Sequence, residues 1–316
     1  SGIDKKKIVF SGVGKTPYEL DFAIKKKILL INTESESEII EIEKIAKKRK
    51  TKVDIGIRLN PNIDAETLKQ ISTGKKENKF GVDKKNFIFL VNKLRNSKYV
   101  NLKCLSVHIG SQILNYKAYV RMLKVVSNII DKSKYKFEFI DLGGGMGIQY
   151  EKSSKKFEYK KYNQAIMKFN DKYNAQIIFE PGRSIVGSTA ILASKVIHIK
   201  DTKSKVFIIL DAAMNDLMRP ALYNAKHRII CENKNKSIIK KSCEFVGPIC
   251  ETTDKFITYR KFQNISKGNI VALCDVGAYG YSLSSNYNIR PKPAEILVDN
   301  KKIFLIRKRE KLERLI

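Results

Sequence analysis

The sequence predicts an α/β fold: a parallel sheet laid down by about six successive strand–helix units, with a mainly β domain after it. Three observations carry that prediction. Short apolar runs alternate with longer helix-like stretches through the first two-thirds of the 316 residues. Each run ends in a polar or glycine-rich turn. After about Lys195 the helix-like stretches give way to short β-prone runs, several of them separated by Pro and Gly.

The first strand candidates, in order, are 8–10 into Ser11-Gly12, 28–31 into Asn32-Thr33, and 53–59 into Asn60-Pro61. They continue with 105–109 into Gly110-Ser111, 137–142 into Gly143–Gly147, and 177–179 into Glu180-Pro181-Gly182. Between them, 35–50 places Ile39, Ile40, Ile42 and Ile45 among charged residues, a helical pattern. Residues 84–96 and 117–132 are further helix candidates. The β-prone runs of the second part are 194–199, 205–210, 244–246, 269–273, 294–298 and 302–306. A (β/α)8 TIM barrel needs eight units. A partial barrel is therefore expected over 1–195 and a C-terminal β domain over 196–316. Two further units would take ~60 or more residues at about 30 per repeat; they are expected to precede Ser1, which is not a methionine.

Bulk composition narrows the class. A hydrophobic content of 43% supports a large core. The longest apolar run, 184–199, is broken by Lys195, so no membrane segment is expected, and the start has no secretory pattern. Cysteines 104, 231, 243, 250 and 274 are odd in number and form no Cys-x-x-Cys pair. That argues against a disulfide framework or a metal site and for a reducing cytoplasm. The net charge of +30 comes from scattered lysines, such as 5–7, 25–27 and 234–241, in a chain also rich in Ile and Asn. Weak, salt-sensitive attraction to polyanions follows, but no specific nucleic-acid partner.

Two glycine motifs mislead. Ser11-Gly12-Val13-Gly14-Lys15-Thr16 lacks the earlier glycine of a P-loop, whose place is taken by Val9. Counting from Gly143, the last glycine of a dinucleotide fingerprint would fall at Ile148. Free N–H groups in a glycine-rich turn still cradle a phosphate without either motif.

In parallel α/β sheets, ligands gather at the carboxyl ends of the strands. Those ends carry Asn60-Pro61, His108-Ile109-Gly110-Ser111, Gly143–Gly147 and Glu180-Pro181-Gly182-Arg183. Downstream, Arg219-Pro220-Ala221-Leu222-Tyr223 pairs a guanidinium with a phenol, Cys250-Glu251 a thiol with a carboxylate, and Asp275-Val276-Gly277-Ala278-Tyr279 offers another phenol. Such groups hold a phosphorylated cofactor and a small zwitterionic substrate.

The ordered set resembles the fold-type III pyridoxal-phosphate enzymes, the alanine racemase-like barrels, and within them the diaminopimelate decarboxylase family. The matching segments are Lys79-Phe80-Gly81, His108-Ile109-Gly110-Ser111-Gln112, Asp141-Leu142-Gly143-Gly144-Gly145, Glu180-Pro181-Gly182-Arg183 and Asp216–Tyr223. Gly247-Pro248-Ile249-Cys250-Glu251, Gly277-Ala278-Tyr279 and Ser284–Asn288 with Arg290 complete the series, which runs from about Ile8 to Arg309. Any one motif is moderately specific; the ordered series is highly specific.

The resemblance implies decarboxylation of meso-diaminopimelate to lysine with pyridoxal 5'-phosphate, in a homodimer with shared active sites. His108 would stack on the cofactor ring. Ser111, Gly143, Gly144, Gly145 and Gly147 would bind its phosphate, with the backbone of Pro181-Gly182-Arg183 and the Tyr279 hydroxyl. Glu180 would face the pyridine nitrogen and keep it protonated. Arg183, Arg219, Tyr223, Glu251 and Tyr279 would hold the substrate. Cys250 would return the proton that replaces the carboxylate, reaching with Glu251 into the partner's site. Glu251 in place of the aspartate typical of ornithine-type enzymes favours diaminopimelate over ornithine, arginine or carboxynorspermidine.

The sequence departs from the family at one point. Members carry a lysine in a Tyr-Ala-x-Lys-Ala-like stretch that forms the Schiff base with the cofactor, and no such stretch occurs here; Lys15 and Lys26 stand in a different context. The expectation is a sequence lacking that segment, inactive by itself, from an active parent. A catalytically dead homologue that binds a regulatory partner is the alternative from another class.

Overall fold

The computed structural model describes residues 2–65, 73–74, 77–151, 154–232 and 237–316. Lys234 and Lys236 of the lysine-rich group at 234–241 lie outside the described residues. The chain forms two compact units, Ser1–Gly147 with Lys156–Gly182, and Ile148–Lys155 with Arg183–Ile316.

The first unit is a six-stranded sheet in the order β1 (Val9–Phe10), β2 (Leu30–Thr33), β3 (Val53–Leu59), β4 (Val100–Val107), β5 (Phe139–Asp141), β6 (Gln176–Ile178). Every neighbouring pair is parallel. Helices α1 (Pro17–Lys26), α2 (Glu36–Lys48), α3 (Lys84–Leu94), α4 (Tyr116–Ser133) and α5 (Tyr159–Tyr173) connect them. This is the partial (β/α)8 barrel that the alternating pattern predicts.

Each helix start has a local cause. Thr16 caps α1 in a reciprocal capping box with Glu19, and Pro17 pre-sets the first turn. Ser35 caps α2, whose buried Ile39, Ile42, Ile45 and Ala46 recur at helical spacing. Asp83 and Asn115 cap α3 and α4. The buried stripes of these helices join Ile55, Ile57, Leu59, Leu105 and Val107 of the sheet in one core. Strands β3 and β4 are largely buried on both faces because a parallel sheet is covered on both.

The second unit contains α6 (Arg183–Val186), α7 (Arg219–Tyr223) and strands β7 (Leu192–Asp201), β8 (Lys205–Leu210), β9 (Ile229–Cys231), β10 (Ile238–Ile239), β11 (Ser242–Val246), β12 (Lys255–Tyr259), β13 (Phe262–Gln263), β14 (Ile270–Leu273), β15 (Glu295–Asp299) and β16 (Lys302–Arg307). Its main sheet runs β12-β11-β8-β7-β14-β9, with β10-β13 and β15-β16 as separate two-stranded pairs. Alternation along β8 and β11 turns Val206, Ile208, Leu210, Cys243 and Phe245 into a second core.

The units divide at 182/183, whereas the composition change placed the boundary at 195/196. Residue 195 lies inside β7, which pairs with both β8 and β14, so the chain has already entered the second sheet. Residues 148–155 also group with the second unit; there the Tyr150 hydroxyl accepts a 2.7 Å hydrogen bond from Arg183 Nη1. Among the described residues no helix is long and apolar enough to cross a membrane.

Candidate active site

In the first unit the strand ends build an acidic, glycine-lined corner. After β5, Asp141 Oδ1 accepts the Gly143 N–H at 2.9 Å. This turn needs its glycines: Gly143 and Gly145 have φ of 65° and 91°. Gly144 needs its own for a different reason, since a Cβ there would lie 2.0 Å from the Glu180 carbonyl oxygen. The Glu180 N–H in turn donates to the Gly143 carbonyl at 2.9 Å. Tyr119, fully buried on α4, donates its hydroxyl to the Gly144 carbonyl at 2.9 Å and fixes the turn from behind.

His108 follows β4, and its Nδ1 accepts the Gly144 N–H at 3.1 Å. The lone pair is therefore on Nδ1 and the proton on Nε2. Burial, then the Arg58 charge, pushes the imidazole down to about 4, so it is neutral near pH 7. The segment that follows Ser111 joins the same turn: Ile113 bridges Met146, and the Gly147 N–H donates to the Ile113 carbonyl at 3.0 Å.

The Glu180 carboxylate accepts the Ser11 hydroxyl at 2.7 Å. Asn32 Nδ2 donates both to Ser11 Oγ at 3.2 Å and to Asp141 Oδ2 at 2.8 Å. Asp141 and Glu180 thus share one network at the end of β5 and β6. Burial, then the neighbouring Glu180 charge, pushes the Asp141 carboxyl well above the ordinary carboxylate range. Asn32 Oδ1 is buried without a hydrogen-bond partner. Ser11, Asn32 and Asp141 were given no role by the motifs. Asp141 stood inside a quoted segment, but only the fold brings Ser11, just after β1, to Glu180 and Asn32, on β2, to Ser11 and Asp141. Lys15 is committed elsewhere, in a buried ion pair with Glu38 at 2.7 Å.

In the second unit, Arg183 opens α6 and Arg219 opens α7; both are 5% exposed. Each guanidinium lies over the Tyr150 ring, at 5.8 Å and 4.5 Å, and Arg183 also lies over Tyr279 at 4.8 Å. Tyr223 ends α7 on the next turn from Arg219. The structure therefore gathers Arg183 and Arg219 on Tyr150, a residue the motifs did not single out, with Tyr279 against Arg183. Tyr279 adopts φ of 59°, a left-handed conformation rare for a bulky side chain.

Cys250 and Glu251 form a separate, exposed corner of that unit. Buried Asp254 shapes it: its carboxylate accepts the N–H of Ile249 at 2.8 Å and of Met214 at 2.7 Å. Glu251 accepts hydrogen bonds from Thr253 Oγ1 at 2.6 Å and the Tyr287 hydroxyl at 2.8 Å, which hold its carboxyl below the ordinary range.

Two family models match the chain: the pyridoxal-dependent decarboxylase pyridoxal-binding domain over residues 1–187, and the C-terminal sheet domain of the same enzymes over 99–277. The diaminopimelate decarboxylase of Aquifex aeolicus is 41% identical over 98% of this chain and 74% of its own length. The chain belongs to the diaminopimelate decarboxylase family of pyridoxal-dependent decarboxylases. The family is also represented by the Methanocaldococcus jannaschii protein, 38% identical over 98% of this chain and 73% of its own. Among solved structures, the Helicobacter pylori diaminopimelate decarboxylase complexed with L-lysine superposes with a TM-score of 0.91 at 40% identity, covering 99% of this chain and 79% of that one. The Methanocaldococcus jannaschii enzyme with L-lysine gives 0.90 at 35% identity, covering 98% and 74%.

The residues present fit the cofactor of this family. Gly182 has open space where a Cβ would stand, so backbone there is accessible to an anion. Glu180 places a carboxylate, held by the Ser11 hydroxyl, beside the glycine-rich turn, the acceptor that a protonated heterocycle requires.

Proposed function

We infer that this protein removes a carboxylate from meso-2,6-diaminopimelate, yielding L-lysine and CO2. The observation that carries the reading is Glu180 at the carboxyl end of the parallel sheet, hydrogen-bonded to the glycine-rich turn that also binds His108. Family membership supplies the substrate class, and the residues supply complementary groups.

When bound, pyridoxal phosphate supplies an electron sink for the pair released as the C–C bond breaks. Ser111, Gly143, Gly144, Gly145, Gly147 and Pro181-Gly182-Arg183 would hold its phosphate with Tyr279, and His108 would cover its ring. Glu180, oriented by Ser11, would keep the ring nitrogen protonated. Arg183, Arg219 and Tyr223 would bind substrate carboxylates, and Glu251 an ammonium. Cys250 Sγ–H would return a proton to the carbon that lost CO2. Tyr287 and Asp254 would keep the Cys250-Glu251 corner in shape. A homodimer in which Cys250 and Glu251 complete the partner's site is part of the reading, and a cytoplasmic setting suits the exposed Cys250 thiol.

The test supplies the full-length enzyme and pyridoxal phosphate with meso-diaminopimelate, ornithine or arginine in turn and measures CO2 and the amine or amino acid formed. Lysine from diaminopimelate, abolished in Glu180→Gln, supports the reading. Turnover of ornithine or arginine in preference, or full activity in Glu180→Gln, sinks it.

A further inference from the structure

His227 carries no role in the reading above, yet it is fully buried at 0% exposure directly beside Arg219. Both ring nitrogens are used. Nδ1 lies 2.8 Å from the Cys274 carbonyl oxygen, which only accepts, so Nδ1 carries the proton. Nε2 lies 2.7 Å from Arg219 Nη1, which only donates, so Nε2 offers its lone pair. The ring edge also meets the face of Tyr150, with centroids 5.1 Å apart at 71°.

The charged groups facing the ring are Arg219 and Arg183. Burial first, and these guanidiniums after it, push the imidazole down to about 4, against the pull of the Cys274 carbonyl. His227 is therefore neutral at pH 7. That choice of partner is informative. A buried arginine is ordinarily matched by a carboxylate. A carboxylate at 227 would neutralise Arg219 and compete with any anion brought to it. A neutral acceptor fixes the plane of the guanidinium and leaves its charge uncompensated. The rest of the guanidinium agrees: its plane lies over Tyr150 at 4.5 Å, and its buried Nε has no hydrogen-bond partner.

We propose that His227 is a positioning residue: locked in one tautomer by the Cys274 carbonyl, it orients Arg219 as an uncompensated cation for a substrate carboxylate. The proposal rests on Arg219 being a substrate-binding group, as read above. It also explains Cys274, whose backbone rather than its thiol does the work.

The closing experiment has two arms. The first needs no cofactor: nitrogen-15 NMR of the apoprotein, in which histidines 108, 198 and 227 are the three to assign. One buried imidazole should be protonated on Nδ1 and remain uncharged down to about pH 5. The second compares His227→Ala, His227→Gln and Arg219→Ala in the holoenzyme. His227→Ala should raise KM for diaminopimelate on the order of tenfold with kcat within about twofold, the pattern of lost ground-state binding. His227→Gln, which keeps one donor and one acceptor, should recover most of that loss. A ring that titrates near its ordinary value or carries its proton on Nε2 overturns the proposal. So does an unchanged KM in His227→Ala while Arg219→Ala raises it. An unchanged KM in Arg219→Ala overturns the reading of Arg219 itself, and the proposal with it. If His227→Ala does not fold, the NMR arm and His227→Gln decide.

Discussion

Replacing Gly144 by alanine should damage the site by contact alone, without backbone strain. Its φ is outside the left-handed region, so alanine can adopt the conformation, but the new Cβ would stand 2.0 Å from the Glu180 carbonyl oxygen and 2.8 Å from the carbonyl carbon. Both are backbone atoms and cannot swing aside. The turn or the Glu180 strand end must move by more than an ångström, breaking the 2.9 Å bond from the Glu180 N–H to the Gly143 carbonyl. Overpacking costs about 1–3 kcal/mol and the lost hydrogen bond about 1 kcal/mol, so Gly144→Ala should cost roughly 2–4 kcal/mol. In a unit of this size that lowers Tm by roughly 5–15 °C. Gly182→Ala is the control: it lies one motif away, and nothing stands within 4 Å of its added Cβ. Differential scanning calorimetry of the two variants checks the argument. Equal melting temperatures would refute the claim that close approach, rather than glycine content as such, maintains this corner.

Two further predictions follow from buried charge. His227 has its pKa depressed in the folded state, to about 4, while an unfolded histidine titrates near 6.5. Between those values the unfolded chain binds more protons, so stability must rise with pH there and be lost as pH falls from about 6.5 towards 4, at up to ~1.4 kcal/mol per pH unit. His227→Gln should flatten that part of the stability curve; an unchanged slope counts against a buried neutral ring. Asp254→Ala leaves the N–H groups of Met214 and Ile249 without their acceptor. It should cost roughly 2–4 kcal/mol and accelerate hydrogen exchange at those two amides more than in β8 and β11. Uniform acceleration would mean that Asp254 supports the whole unit and not the Cys250 corner.

The barrel strands were legible as short, mostly apolar runs that end in polar or glycine-rich turns: 53–59 matched β3 residue for residue. Helices α2, α3 and α4 were legible as amphipathic or charged stretches, α2 from its recurring isoleucines. Helices α1 and α5 were not singled out. The first is short, and the second, with only Tyr162 and Phe169 buried, has little apolar stripe to see. In the second unit β9, β10, β12 and β13 escaped notice, because short strands with one exposed face carry weak alternation. The site divided the same way. Motif residues at strand ends were visible as motifs. Ser11, Asn32, Tyr150, His227 and Asp254 act through contacts far apart in sequence, which no local pattern announces.

Each unit holds a pair of neighbouring like charges, of which Asp141, Arg183 and Arg219 are buried. Burial first, and Glu180 after it, raises the Asp141 carboxyl in the first; burial first, with Arg183 adding to it, lowers Arg219 in the second. Like charges taken out of water oppose folding, so neither pair exists for stability. On the proposed reading, Glu180 would serve a protonated heterocycle and the basic pair would serve substrate carboxylates. The acidic pair gives a sharp test in the ligand-free protein. A raised folded-state pKa means that folded Asp141 keeps its proton where the unfolded chain has lost it, so its contribution to stability falls as pH rises through the raised value. Asp141→Asn removes that loss. Its amide also requires Asn32 to turn its presently unpartnered Oδ1 towards it, which gives up the Asn32 Nδ2 bond to Ser11 Oγ and offsets part of the gain. The variant should therefore be more stable than the parent by on the order of 1–2 kcal/mol at about pH 9, with the advantage gone or reversed at about pH 5, where Asp141 is already protonated. Chemical denaturation at the two pH values measures it. A variant equally destabilised at both would show that Asp141 is an ordinary structural acceptor for Gly143 and Asn32, and that Glu180 does not meet a second negative charge there.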